Sequence, residues 1–230
     1  MLPAEFHKRM QPKHWGALYF LILLADLCVI AFDIPYARFA TKPLIMILLG
    51  FYGWSQAGCL PHRSKNFILA AIIFSWSGDV FLLFPHYFIA GLVSFLTAHL
   101  LYTGFFLTVQ PKPKPGWKEG AVLVVIIIYA VRLVQRLVAN LGDMKPAVIV
   151  YTAVISLMFL SAVRAFGLNS SKAGRLCIGG ALLFVLSDSI LAIEKFLTPF
   201  PGSGILVMLT YGIAQWMIVD GSLRHLKTAK

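Results

Sequence analysis

Two aspartates stand inside otherwise apolar stretches of the chain, in Gly78-Asp79-Val80-Phe81-Leu82 and in Ser187-Asp188-Ser189-Ile190-Leu191, 109 residues apart. A carboxyl in such a setting is expensive, about 2.5–3.5 kcal/mol at the centre of a bilayer-spanning helix, and is a functional candidate by default. A pair of them is the equipment of acid–base chemistry. Burial in a low dielectric favours the neutral form of a carboxyl, and two carboxyls sharing a site titrate apart, so one holds a proton while the other is ionised. Glycosidases meet an oxocarbenium-like transition state with this pairing. The plainer alternative is structural, with each Asp gluing one helix to a Lys on another.

The polar residues around them are few. His99 lies 12 residues into the same apolar run as Tyr102, which follows one turn later on the same face. Tyr211 and Gln215 form an i, i+4 pair in the last apolar run. Lys42 opens the second run and Lys195 closes the seventh, where each serves either as a site cation or as an interfacial anchor that snorkels. Asp26 in the first run stands at comparable depth and joins the candidates, whereas Asp33, Asp143 and Asp220 fall at the ends of runs and need no special role. Of the six histidines only His99 is inside an apolar run, so a zinc site built on several His is not expected, and no metal or other cofactor is assigned. Ser77 and Ser187 precede the aspartates without a local His base, which argues against a serine hydrolase.

These residues need elements to hold them, and composition decides what those are. Of 230 residues, 59% are hydrophobic and only 13% are charged, against roughly 25% charged in soluble domains. The bilayer is therefore the solvent, and apolar runs of about 20 residues are helices that satisfy their own backbone. The expected fold is all-α, one polytopic transmembrane helix bundle over residues 1–230, with eight spans at Trp15–Phe32, Ala40–Gly58, Asn66–Phe84, Tyr87–Val109, Glu119–Val138, Pro146–Phe166, Ala173–Phe196 and Ser203–Leu223. A seven-span alternative leaves the fifth on the membrane surface. Pro35, Pro61, Pro85, the Pro111–Gly116 stretch, Gly142, Asn169 and Pro199–Gly204 punctuate the runs. The first run follows Lys8, Arg9 and Lys13 as a signal peptide would, but is too long for one and reads as a retained span.

The net charge of +11 is a topology signal here rather than a nucleic-acid footprint. Fourteen of the twenty basic residues fall on the side of both termini, in the groups Lys8–Lys13, Arg63–Lys65, Lys112–Lys118, Arg164–Arg175 and Arg224–Lys230. Positive charge marks the cytoplasmic side, so both termini are expected there, in a bacterial inner membrane or an internal eukaryotic membrane such as the endoplasmic reticulum. On this topology Asp79 lies 13 residues after Asn66 and Asp188 lies 15 after Ala173, about 20 and 22 Å from the cytoplasmic face. Cys28, Cys59 and Cys177 all fall in or beside apolar runs, and no disulfide is expected. The offset of 109 also relates Tyr102 to Tyr211 and the second run to the sixth. It suggests two parallel four-helix halves, 1–114 and 115–230, with a site between them.

The motifs Thr41-Lys42-Pro43-Leu44, SWSGDVFLL at 75–83, Gly91…Phe95…His99…Tyr102, GALLFVLSDSILAIEKF at 180–196 and Tyr211…Ala214-Gln215 resemble the lysoplasmalogenase (YhhN-like) family of membrane proteins. The resemblance runs from about the second span to the eighth. It implies a hydrolase that takes a lysophospholipid from the surrounding membrane lipids and cleaves its vinyl ether bond, giving a fatty aldehyde and a glycerophospho-alcohol. It carries over Lys42, Asp79, His99, Tyr102, Asp188, Lys195, Tyr211 and Gln215 as site residues without assigning each a role. A vinyl ether is cleaved by protonating its β-carbon and adding water to the resulting oxocarbenium ion, which is work for one protonated and one ionised carboxyl. Asp79 and Asp188 are the expected pair, with His99, Tyr102 and Tyr211 relaying protons or holding the carboxyls, and Lys42, Lys195 and Gln215 binding substrate. Lys42 either meets the lipid phosphate or pairs with an aspartate. The competing function is a proton-coupled transporter of a small molecule or lipid, in which the same buried residues form a proton relay.

Overall fold

A computed structural model describes residues 11–56, 61–109, 114–168 and 171–228. Lys8, Arg9, Gly58, Cys59, Pro111, Lys112, Asn169 and Lys230, used above for topology, span ends, punctuation or disulfides, lie outside them. The described residues form eight α-helices, α1 (Pro12–Ala31), α2 (Arg38–Gln56), α3 (His62–Phe81), α4 (Phe88–Thr108), α5 (Trp117–Leu137), α6 (Lys145–Phe166), α7 (Lys172–Phe196) and α8 (Ser203–Thr228), with short 3-10 turns before α4 and between α5 and α6. Each of the eight apolar runs is a helix.

Six of them are long and apolar enough to cross a membrane, within Pro12–Ala31, Pro85–Thr108, Trp117–Asn140, Gly142–Phe166, Lys172–Phe196 and Ser203–Thr228. The protein is therefore an integral membrane bundle. The two helices that fall short, α2 and α3, are diluted by their own polar residues: Arg38 and Lys42 in the first two turns of α2, and His62, Arg63, Lys65 and Asn66 at the start of α3. The fifth run, which the seven-span alternative leaves on the membrane surface, is among the six, yet only Ile126 and Leu137 of α5 are buried.

Local chemistry sets the ends. Pro12 occupies the first turn of α1, where its missing N–H costs nothing. Ser171 caps α7 by accepting from the Gly174 N–H. Glu119 fastens α5 at both sides of its first turn, one carboxylate oxygen accepting from the Gly116 N–H at 2.9 Å and the other from the Leu168 N–H at 3.2 Å, past the end of α6. α8 continues past Leu223 to Thr228 because Arg224 donates from Nε to Asp220 at 2.6 Å within the helix.

α8 is the most deeply set helix. It lies along α7 and also touches α1 and α2, while α4 packs between α3 and α6, and α5 rests on α6 and α7. Apolar transfer gives little drive to join helices that are already in lipid, so close approach through small residues matters. A Cβ on Gly180 of α7 would sit 2.8 Å from the Ala214 carbonyl of α8, and one on Gly221 of α8 would sit 2.8 Å from the Ala173 carbonyl of α7. These contacts are backbone on backbone and have no flexible side chain to give way. They bring α7 and α8, and so Asp188 and Tyr211, to one side of the bundle.

Asp220 is not the idle residue at a span end that its position suggests. It is 4% exposed, accepts from the Tyr52 hydroxyl at 2.5 Å as well as from Arg224, and so ties α2 to α8.

Candidate active site

The two aspartates face one cavity of about 370 Å³ at the end of the bundle where α2 and α8 begin and α3 and α7 finish. Arg38, Lys42, Glu194, Lys195 and Tyr211 complete its polar wall. The partners of the two carboxyls differ. Asp79 is 3.5 Å from Lys42 Nζ and accepts from the Tyr211 hydroxyl at 2.7 Å, so α2 and α8 grip it from opposite sides. Pro43, inside α2, cannot donate to the Phe39 carbonyl, and this loosened turn is the one that carries Lys42. Asp188 instead accepts from the Tyr151 hydroxyl of α6, and His99 Nε2 of α4 lies 3.8 Å from it. The Asp79 side chain is 2% exposed and that of Asp188 is 13% exposed, so Asp188 is the more open to the cavity.

Behind this wall lies a second polar layer. The Tyr102 hydroxyl donates to Gln215 Oε1 at 2.7 Å, and Gln215 Nε2 donates to Ser75 Oγ at 2.8 Å. Tyr102 and Gln215 are both fully buried. They cross-link α3, α4 and α8 one turn from Tyr211 and Asp79. His99 is also fully buried, with its ring edge-on to Phe184 at 4.5 Å and to Tyr151 at 5.4 Å, and both ring nitrogens lack a hydrogen-bond partner among the described residues.

The eight expected residues thus converge, but in layers. Asp79, Asp188, Lys42, Lys195 and Tyr211 line the cavity, while His99, Tyr102 and Gln215 stand behind it. Lys195 is exposed at the rim, its Nζ 4.9 Å from the Phe88 ring centre. Lys42 takes the second of its two expected arrangements, pairing with an aspartate. Asp26 stays outside the wall: it accepts from Thr41 Oγ1 at 2.5 Å and lies 3.9 Å from Arg38 Nε. Ser77 and Ser187 donate to the Ile73 and Val207 carbonyls, which leaves neither poised as a nucleophile. Among the described residues no three His, Cys, Asp or Glu side chains gather to metal-binding range.

Three residues of the site escaped the sequence reading. Tyr151 had a signal, since it follows Lys42 by the same 109 residues that separate Asp79 from Asp188. Arg38, a cation at a helix start, and Glu194, beside Lys195 at a helix end, carry no signal of their own in the sequence. Their places in the cavity wall come from tertiary packing.

The model of the YhhN family matches residues 37–222, every element of the site included. The chain belongs to the YhhN family. Among its YhhN relatives are lysoplasmalogenase TMEM86A of Bos taurus, 35% identical over 76% of this chain and 73% of that protein, and lysoplasmalogenase TMEM86A of Homo sapiens, 32% identical over the same shares. A lysoplasmalogenase of Mycobacterium tuberculosis is 26% identical over 69% of this chain and 61% of its own length. No solved structure matches this YhhN chain. The relatives bear an enzyme's name, which lends nothing to the transport alternative.

Proposed function

We propose that this protein is a lysoplasmalogenase, hydrolysing the vinyl ether of a lysophospholipid at the Asp79–Asp188 cavity. The observation that carries the reading is the unequal partnering of two carboxyls on one wall. Asp79 with Lys42 makes an internally neutral ion pair. Asp188 has a phenol and an imidazole beside it and no ion pair with a lysine or arginine among the described residues, and an unpaired charge in so buried a place is costly. Asp188 is accordingly the acid and Asp79 the carboxylate.

In the cycle that follows, the π electrons of the alkene take the Asp188 proton at the β-carbon, leaving an oxocarbenium ion beside the Asp79 carboxylate. Water adds to the α-carbon and gives its proton to Asp79. The hemiacetal hydroxyl returns a proton to Asp188, and the departing glycerol oxygen takes the one held by Asp79. One water is consumed, an aldehyde and an alcohol leave, and both carboxyls end as they began. Tyr211 and Lys42 hold Asp79, Tyr151 holds Asp188 with the His99 ring beside it, and the Tyr102–Gln215–Ser75 chain fixes α8 and with it Tyr211. Since Lys42 is engaged and buried, the phosphate falls to Arg38, one turn earlier on the same face, whose Nε faces Asp26 but whose half-exposed guanidinium keeps further donors, and to Lys195 at the rim.

The chain is also read as eight spans in two halves with both termini cytoplasmic, so that the site faces the other side. What supports the halves is a repeated neighbour pattern: α1–α2, α2–α3 and α3–α4 recur as α5–α6, α6–α7 and α7–α8, and α4 meets α6 as α8 meets α2. The site is then a duplication with its symmetry broken where Lys42 became Tyr151.

A substrate panel tests the function. Detergent-purified protein is expected to release aldehyde from lysoplasmenylethanolamine, and to leave the saturated alkyl-ether analogue and the acyl lysolipid intact, because neither offers an alkene to protonate. Fatty acid release from the acyl lysolipid, or no product from any of the three, would overturn it.

A further inference from the structure

The cavity described so far seats a headgroup and the reacting atoms but has no room assigned to a long hydrocarbon chain. A second, narrower cavity of about 50 Å³, against about 370 Å³ for the first, adjoins it between α4, α5, α6 and α7, and the two meet at Asp188, with Phe88 and Phe95 on the wall of both.

The wall of this second cavity is apolar in spite of its residue types. Thr152, Ser156 and Ser189 line it, and each turns its hydroxyl back on its own helix, donating to the Val148, Thr152 and Val185 carbonyls at 2.8, 2.7 and 2.6 Å. Small side chains make the space, and their polar atoms are spent within the helix. Tyr129, Ala130 and Leu133 of α5 close the outer side. That helix is lightly held, and its other face, with Val124, Ile127, Ile128 and Val131 exposed, is apolar as a lipid-facing surface must be.

We propose that this cavity seats the alkenyl chain, so that one lysolipid lies through both cavities with its vinyl ether at Asp188, the polar residue on the wall of both. The proposal rests on the lysoplasmalogenase reading. Its argument is continuity: a polar cavity with three cations and an apolar one, joined at the acid, match an amphiphile whose head and chain are joined at the bond to be broken. α5 separates the chain seat from lipid, so the chain enters sideways from the bilayer without crossing water. A chain that moves from lipid to an apolar cavity gains little by transfer. The seat instead holds the β-carbon against the carboxyl, which is a positioning effect on rate.

Ala130→Trp on α5 and Ser156→Phe on α6 fill the seat from two sides without touching the carboxyls. Each is expected to lower kcat/KM for a hexadecenyl substrate by about tenfold or more, while a hexenyl substrate stays within about twofold of wild type. Thermal unfolding in detergent verifies that each variant is folded. Wild-type protein is also irradiated with an alkyl-ether lysophosphatidylethanolamine bearing a diazirine near the chain end. Label is expected on the peptides 129–133 and 152–156. Equal losses for long and short chains, unchanged rates in both folded variants, or label confined to α1, α2 and α8 would each overturn the chain seat. Label on the expected peptides with no aldehyde from any substrate would support the seat and overturn the hydrolase instead. Aldehyde release with label elsewhere would do the reverse.

Discussion

Asp188→Asn is expected to lower the turnover of lysoplasmenylethanolamine by about 10²–10⁴-fold, the usual worth of a positioned general acid. The substitution keeps the shape of the side chain and leaves an amide oxygen to accept from Tyr151, so the fold is retained. It removes only the ability to give up a proton. KM is expected to change little, since the headgroup cations and the rest of the chain seat are untouched and asparagine keeps the shape of Asp188 where the cavities meet. Tyr151→Phe, which removes one hydrogen bond to the acid, costs about tenfold, in line with the net worth of such a bond. Aldehyde release under saturating substrate measures both. An Asp188→Asn protein that turns over at the wild-type rate would take the acid away from this residue.

The second large effect concerns stability as well as rate. Lys42→Met leaves Asp79 as a buried carboxylate whose cation is gone, which is expected to destabilise the protein by about 3–5 kcal/mol. Adding Asp79→Asn removes the stranded charge. The double variant should therefore regain most of the lost stability, and the non-additivity is the signature of a direct pair. Activity should not return, because the carboxylate that faces the oxocarbenium ion is absent in Asp79→Asn alone and in the double variant alike. Thermal unfolding in detergent reads the first effect and aldehyde release the second. A Lys42→Met variant as stable as wild type, or a double variant that regains activity, would show that the pair plays another role.

Much of this site was legible in the sequence because lipid makes polar residues conspicuous. Asp79, Asp188, His99 and Gln215 stand out in apolar runs, and helical spacing puts Tyr102 near His99 and Tyr211 near Gln215 before any coordinates are known. Tyr151 did not stand out, because a tyrosine near the end of a span looks like an ordinary interfacial aromatic. Its role depends on α6 packing against α7, which only the repeat offset foreshadowed. Arg38 did not stand out either, since a cation at a helix start has an adequate explanation in topology. Asp220 was dismissed for the same kind of reason, its burial being set by α2 closing over α8 through Tyr52. The eight helices were readable from hydropathy, whereas α2 and α3 fall below the apolar threshold for a span because the site's own cation and the basic start of α3 lie in them. The chain seat was invisible, since Thr152, Ser156 and Ser189 read as polar until their hydroxyls are seen to turn back on their own helices.

The central claim is that a fixed carboxylic acid protonates the β-carbon of a vinyl ether. The measurement that meets it most directly is the isotopic content of the aldehyde formed from lysoplasmenylethanolamine in deuterium oxide and trapped at once by reduction. A single deuterium on the carbon next to the former carbonyl, in one configuration, is the predicted result, because an acid held on one wall reaches one face of the alkene. Product without that deuterium, or with both configurations in equal amount, would contradict a positioned acid in this cavity.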